Sequence, residues 1–370
     1  MAIAIQPYTE DRIPAVKAFN QRLGAGGVAP EFHFPESHIP YWLPPLNGRR
    51  LYQEYYVALE GDTVHGAFIL KYQDFSLFGA TQPVVYYHLP VSEGIVNKSY
   101  ASVGVLMLRS AMKMRPMLYA LGMGGFDRPL PTMLKAMGWT LSAVPFYFRI
   151  NHPMRFLTQI ASLRQSPARR ALAKLAAFSG AGYAGIKGAQ SLRTKKHDHA
   201  VHSEIVRTFG PWADDLWQEH RSIYPLIADR GSAALNVLYP ADKNFICLQV
   251  VRGTEFLGWA VLLDTQMREN KYFGNLRVGT IADTFAGPDS AAEVVYSATK
   301  VLEERGVDLM IANHANAAWG NAFRLNGYFE GPSNFIFAAS KPLAEKLVPK
   351  DTNLANVYFM RGDGDGPVNL

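Results

Sequence analysis

The chain has 370 residues, a formal net charge of +6, 48% hydrophobic and 18% charged residues. That balance excludes a disordered chain, and the length makes two domains the natural expectation. The single cysteine, Cys247, excludes a disulfide framework or a cysteine-based zinc site and fits a reducing compartment.

In chain order, Ala2 to Gln6 reads as a strand, followed by a helix from Asp11 with Ile13, Val16, Phe19 and Leu23 at helical spacing and a stop at Gly24-Ala25-Gly26-Gly27. Residues 28–50 are a proline- and aromatic-rich loop. Strands are expected at Tyr52–Leu59, Val64–Phe75 and Val84–Pro90, then a helix at Ser99–Met114, a strand at Met117–Leu121, a short helix at Pro131–Met137 and a strand at Phe146–Ile150. A second series runs as a helix at Trp212–Ile227, strands at Phe245–Val251, Leu257–Thr265 and Leu276–Thr284, and a helix at Ser290–Arg305. It closes with a strand at Asp308–Ala312, a helix at Ala317–Leu325 and a strand at Asn334–Ala338. Both series imply a mixed sheet with helices on both faces.

Two local matches tie the series together. Val57-Ala58-Leu59-Glu60-Gly61-Asp62-Thr63-Val64-His65-Gly66 corresponds to Gln249-Val250-Val251-Arg252-Gly253-Thr254-Glu255-Phe256-Leu257-Gly258, each an apolar strand, a glycine-marked turn and a second strand with its own glycine. Gly138-Trp139 and Gly327-Tyr328 each end a short helix, with Phe146 and Phe148, or Phe335 and Phe337, eight and ten residues past the glycine. Matches in the same order indicate a duplicated domain.

The doubled order resembles the GNAT fold of N-acetyltransferases in tandem. It implies an α/β architecture (an α+β mixed sheet) with two GNAT-like domains, at 1–150 and 201–370, joined by a basic helical linker at 151–200. The ending Val357–Gly366 is similar to the closing strand and acidic tail of tandem GNAT-like proteins associated with bacterial surface polysaccharide biosynthesis. The resemblance implies an N-acyltransferase that moves an acyl group from acetyl-CoA, a longer acyl-CoA or an acyl carrier protein to an amine, with a sugar or glycan precursor as acceptor and no metal. In such domains acyl-CoA lies where the fourth and fifth strands part, and its pyrophosphate meets free N–H groups at the next helix start.

The corresponding residues here are Lys98, Ser99, Ser102, Val103 and Gly104, although the usual Arg/Gln is missing. The second half has Asp289 and Glu293 at the matching place, unfavourable for phosphate, so the first half is expected to hold the donor. Glu93, at the end of the fourth strand, is the candidate general base; His88 lies five residues back on the other face, and Asp283 is the matching carboxylate of the second half. Each has an ordinary reading too: a solvated strand-end carboxylate or a packed imidazole. Asn313, His314, Asn316 and Asn321 cluster at the last strand-to-helix turn, as acceptor-binding residues or as a helix cap rich in turn formers. The tyrosine that many of these enzymes use as general acid is missing from Pro131–Met137.

The charge is local. Nine cations and no acid fall between Asn151 and His197, more than the whole-chain net, so the remainder is net negative. Within this stretch Ser166–Phe178 reads as a helix with an apolar stripe (Leu172, Leu175, Ala176, Phe178) flanked by Arg169, Arg170 and Lys174. It reads as a solvated connector, as a contact for an anionic membrane surface, or as a dock for an acyl carrier protein. Few aromatics are interleaved, which disfavours nucleic acid. His197-Asp198-His199 with His202 and Glu204 reads as a polar linker rather than a metal site. No window nears the ~18 apolar residues of a membrane span, and the N-terminus lacks signal-peptide features, so a cytoplasmic protein, with a peripheral contact at the inner membrane face through 151–196, is expected. Two rival readings are a FemAB-like transferase that takes its amino acid from aminoacyl-tRNA and a non-catalytic tandem GNAT-fold binding module.

Overall fold

The computed structural model describes residues 3–40, 43, 51–160, 180–347, 354 and 356–364. The expected helix at 166–178 and the residues after Gly364 lie outside them. The elements in chain order are β1 (Ala4–Pro7), α1 (Ile13–Ala25), β2 (Leu51–Glu60), β3 (Thr63–Leu77), β4 (Ala80–Ser92), α2 (Val103–Met114), β5 (Leu118–Gly122), α3 (Pro129–Ala136) and β6 (Thr140–Ala143). There follow β7 (Phe146–Ile150), α4 (Pro153–Gln159), α5 (Ala181–Arg193), β8 (Val201–Val206), α6 (Pro211–His220), β9 (Leu226–Ala228), α7 (Ser232–Leu238), β10 (Ile246–Arg252), β11 (Glu255–Gln266) and β12 (Arg277–Ala286). The series ends with α8 (Ala291–Glu304), β13 (Leu309–Asn313), α9 (Ala317–Leu325), β14 (Phe329–Gly331), β15 (Ile336–Ala339) and α10 (Lys341–Leu347). No helix among the described residues is long and apolar enough to cross a membrane.

The chain forms two compact units, one of residues 1–76, 80–142 and 336–352, the other of 77–79, 143–335 and 353–370. The first is built on a sheet of order β1-β2-β3-β4-β5-β15-β6, the second on β14-β7-β13-β12-β11-β10-β8. Both carry the expected mixed α/β pattern. In each, antiparallel strands lead to one parallel step (β4 to β5, β12 to β13), after which an antiparallel strand closes the sheet.

The closing strands differ from a division at residue 150. Phe146–Ile150 pairs with β13 in the second sheet, with Tyr147 opposite Ala312, while Ile336–Ala339 pairs with β5 in the first, with Phe337 opposite Leu121. Each closing strand therefore comes from the other end of the duplicated sequence. The described parts of the basic stretch are likewise no separate linker: Phe156, Ile160 and Ile186 pack on the cluster of Ile150, Leu276, Val278, Leu309 and Ile311 in the second unit.

The repeated glycines have two physical jobs. Gly61 (φ 60°) and Gly253 (φ 58°) take the left-handed conformation that the hairpin turns require. Gly66 and Gly258 let a helix lie on the sheet: a Cβ would come 2.6 Å from Met107 Sδ of α2 in one case and 2.7 Å from Val294 Cγ2 of α8 in the other. The helices bury matching apolar faces there, Val103, Met107, Leu108 and Ala111 of α2 and Val294, Val295, Ala298 and Leu302 of α8.

The exchange predicts a crossed effect on local stability. Phe337→Ala, which removes a buried β15 side chain, is expected to cost about 3 kcal/mol and to speed amide exchange in β5. Tyr147→Ala should instead speed exchange in β13. Hydrogen exchange read by mass spectrometry checks this, and the reverse pattern would contradict the pairing.

Candidate active site

In the first unit β4 and β5 are paired only at Val85↔Leu118 and Tyr86↔Tyr119. Beyond Tyr86 the two strands part. Leu89 departs from extended geometry at that point, with φ 43° in the left-handed region, a conformation that costs a branched residue about 1 kcal/mol or more. His88 is half-buried at the end of an aromatic ladder. Its ring stacks on Tyr86 (5.0 Å, 13°), and Tyr86 stacks on Tyr119 across the parallel step (4.9 Å, 13°). The Tyr86 hydroxyl donates to the Leu121 carbonyl (3.1 Å), which tethers the ladder to β5.

Glu93 follows at the end of β4 and is buried. Its carboxylate accepts from Arg22 Nε (3.0 Å) and Nη2 (2.9 Å), and His65 Nδ1 lies 2.8 Å from the second oxygen. Tyr100 stacks on the His65 ring at 3.8 Å. Burial alone would raise the Glu93 carboxyl, but Arg22 and His65 overcome it and hold the group below its ordinary range. A carboxylate so engaged anchors structure; it is poorly suited to take a proton from an amine. The expectation that Glu93 is the free general base is corrected accordingly. Arg22 and His65 were missed from sequence. The usable signal was the place of His65 beside Gly66 in the repeated motif.

The turn after Glu93 leads into α2. The Glu93 carbonyl accepts the N–H groups of Val96 (3.0 Å) and Asn97 (2.8 Å), and Asn97 Oδ1 accepts that of Ser99 (3.1 Å). Gly94 is required here, because a Cβ would come 2.6 Å from the Tyr100 carbonyl oxygen. Lys98, Ser99 and Ser102 are exposed, Val103 is buried and Gly104 is half-buried. At the start of α2 no side chain caps the helix, and its first turn holds no acidic residue. The N–H groups of Val103, Gly104 and Val105 thus have no intrahelical acceptor and face a helix dipole unopposed by charge. Such a start is chemically suited to an anion.

The second unit parts its strands in the same place. β12 and β13 pair from Val278↔Leu309 to Ile281↔Ala312, and β12 runs on to Ala286. Here the opening is filled from within the unit. Val357, Tyr358, Phe359 and Met360 are fully buried, Met360 bridges His314, the Phe359 carbonyl accepts from Ala315 N–H (3.0 Å) and the Tyr358 hydroxyl donates to the Thr284 carbonyl (2.7 Å). Arg230, also buried, donates to Asp283 (Nη2 to Oδ1, 3.0 Å) and to Asp363 (2.9 Å) and lies 4.7 Å from the Tyr358 ring centre. Tyr239 Oη donates to Asp283 Oδ2 (2.8 Å). Burial raises the Asp283 carboxyl, against the pull of Arg230 and with the help of Asp363.

The remaining expected residues serve this closure. His314 Nδ1 accepts the Asn316 N–H (3.1 Å), and burial together with Arg230 pushes its imidazole well below the ordinary histidine range, so it is neutral. Asn313 Oδ1 accepts from Arg361 Nε (2.9 Å), and Asn316 caps α9 through Ala318 N–H (3.0 Å) and donates to the Asn356 carbonyl (2.9 Å). Asn321 is exposed on α9. Neither Asp283 nor the Asn313–Asn316 group is open to an acceptor, which corrects their expected catalytic and substrate-binding roles. His197 stacks on Tyr296 (4.1 Å) and Asp198 pairs with Arg252 (3.2 Å).

No protein-family model and no curated protein sequence matches the chain. Solved structures do match its fold. A probable N-acyltransferase from Enterococcus faecalis, described as a conserved protein of unknown function, aligns with TM-score 0.52 and 9% identity over 94% of this chain and 74% of its own. A GCN5-related N-acetyltransferase from Anabaena variabilis gives TM-score 0.52 and 8% identity over 91% and 72%. N-myristoyltransferase from Saccharomyces cerevisiae, solved with bound myristoyl-CoA and inhibitors, gives 0.51 and 11% over 91% and 79%. The chain shares the fold of these GNAT-type acyltransferases.

Two outcomes test the electrostatics. Glu93 has a depressed folded pKa, so its contribution is complete above the unfolded value of 4.5 and is lost as pH falls through the lower folded value. Glu93→Gln should lose about 2 kcal/mol at pH 7 and show a flatter fall in stability between about pH 5 and 3, measured by urea unfolding across pH. Arg230→Met leaves two buried carboxylates without a cation and is expected to cost about 3–5 kcal/mol, read from the same titration at neutral pH.

Proposed function

We propose that the chain is an N-acyltransferase whose first unit holds acyl-CoA in the opening between β4 and β5. The observation that carries this reading is the contrast between the two openings: the first ends at an uncapped, acid-free helix start, and the second is filled by Val357–Met360. The pyrophosphate would meet the N–H groups of Val103 and Gly104, with Lys98, Ser99 and Ser102 beside them. Arg22 steadies the turn through Glu93, which balances its charge. The acceptor is a primary amine, and the sugar or glycan precursor suggested by the resemblance is one member of that class.

The reaction needs the amine to lose a proton, its nitrogen to attack the thioester carbon, and the tetrahedral intermediate to expel the CoA thiolate, which takes up a proton. With Glu93 committed to Arg22 and His65, His88 is the assigned proton acceptor, being the titratable group on β4 that sits where the strands part. Glu93 is then a positioning residue for the turn that leads to α2.

Acetyl-CoA, myristoyl-CoA or both should raise the melting temperature in a thermal-shift titration. Gly104→Asp, which puts a carboxylate at the helix start, is expected to weaken that stabilisation about tenfold or more in apparent Kd without lowering the melting temperature of the free protein. Ser290→Asp, at the start of α8, should leave it unchanged. Equal loss from both substitutions, or no stabilisation by any acyl-CoA, would refute the assignment. His88→Ala should bind the acyl-CoA normally and fail to release CoA when amines, including amino-sugar nucleotides, are supplied.

A further inference from the structure

The second unit carries a cavity of about 560 Å³ at the loop that corresponds to the α2 start of the first. It lies among α6, the β10–β11 turn and the short turn Pro288–Ser290 that leads into α8. Its volume is in the range of small-molecule sites. Its chemistry is opposite to that of an anion site.

One wall is aromatic. Trp212 of α6 and Phe256 of β11 stack at 6.1 Å and 23°. Phe256 is 46% exposed and Ile223, beside them, 49% exposed, a large apolar surface for side chains left to solvent. Four carboxylates line the same cavity: Asp215 and Glu219 on the helix that carries Trp212, Glu255 next to Phe256, and Asp289 in the turn before α8. Glu219 lies 3.9 Å from His220, and Glu255 lies 3.6 Å from Arg252, a cation that also pairs with Asp198. Asp215 and Asp289 have no hydrogen bond or ion pair among the described residues. Asp289 also complements the start of α8, as a carboxylate in a first turn does; Asp215, in the middle of α6, has no such use.

His220 also lines the cavity and is fitted closely to the backbone. A Cβ on Gly287 would come 3.0 Å from its ring, so glycine at 287 lets the imidazole lie against the loop. His220, the aromatic pair and the carboxylates are thus set on α6, the start of β11 and the Pro288–Ser290 turn, all within one unit.

We infer that this cavity binds an organic ammonium: a primary alkyl- or arylalkylamine whose apolar body lies on Trp212 and Phe256 and whose charged nitrogen is held by Asp215 and Asp289. Charge complementarity selects the ligand class. Unpaired carboxylates repel an acyl-CoA pyrophosphate, and an aromatic face attracts an ammonium through its quadrupole in addition to its apolar area. A neutral aromatic would gain the wall and nothing from the carboxylates. The inference does not rest on the donor site in the first unit, and the two are tested separately.

The test is calorimetric titration of the full chain with phenethylamine and with spermidine, compared with the neutral isostere 2-phenylethanol. Phenethylamine is expected to bind and 2-phenylethanol to bind at least about tenfold more weakly. Asp215→Asn with Asp289→Asn should weaken phenethylamine about tenfold or more, and Trp212→Ala should weaken both aromatic compounds. Because Asp215 and Asp289 are exposed and unpaired, the double variant is expected to keep its melting temperature and its response to acyl-CoA. Equal affinity for amine and alcohol, unchanged amine binding in the double variant, or no heat with either amine at millimolar concentration would overturn the proposal. Loss of acyl-CoA stabilisation with amine binding intact would refute the donor assignment alone.

Discussion

A guanidinium cannot be left in a protein interior without a counter-charge, and Arg230 meets that constraint by drawing the end of the chain into the second sheet. Its two partners come from places 80 residues apart, Asp283 at the end of β12 and Asp363 in the last described turn. Asp363 also accepts the Met360 N–H (2.8 Å), which fixes the turn that presents it. With the pair in place, Tyr358 lies beneath the guanidinium and between the parted strands, and His314 packs its ring edge-on to Tyr358 and face-on to Trp319. The opening that would admit a thioester is thereby part of the hydrophobic core.

The first unit uses the same arrangement without closing its opening. A carboxylate stands at the end of the fourth strand of each sheet, Glu93 or Asp283, and each meets an arginine from an earlier element, Arg22 of α1 or Arg230 after β9. That shared pairing explains why both carboxylates look catalytic by position and are bonded in fact. The difference lies in what else is recruited. Asp283 shares its arginine with a second carboxylate on the C-terminal segment, whereas Glu93 shares its second oxygen with His65. One duplicate thus acquires a plug and the other a rigid rim.

Much of the fold was legible because it rests on local rules. The hairpin glycines, the helix periodicities and the order of strands follow from turn geometry and burial, and Phe146–Ile150 was placed at its observed bounds. Which sheet that strand joins was not legible. The two closing segments share an aromatic pattern at equal offsets from their glycines, so neither periodicity nor composition distinguishes pairing with the near half from pairing with the far one. The site divides on the same line. The α2 start could be read from the local run Lys98–Gly104. The fate of Glu93 depended on Arg22, 71 residues away, and that of Asn313 and His314 on a segment more than 40 residues downstream. Residue type and strand-end position suggest a reactive group, but only long-range pairing decides whether its lone pairs are free.

The two matching helix starts carry opposite choices of charge. At the start of α2 the chain has lysine and serines and no acid; at the start of α8 it has Asp289 and Glu293. A helix start stabilises either its own carboxylates or a bound anion, and the same N–H groups cannot serve both. With the second opening occupied by Val357–Met360, the acidic residues at that turn complement their own helix start, and Trp212 and Phe256 line the same cavity. In the second unit the filled opening and the acidic, aromatic cavity therefore go together, the first set by where the segment Val357–Met360 packs.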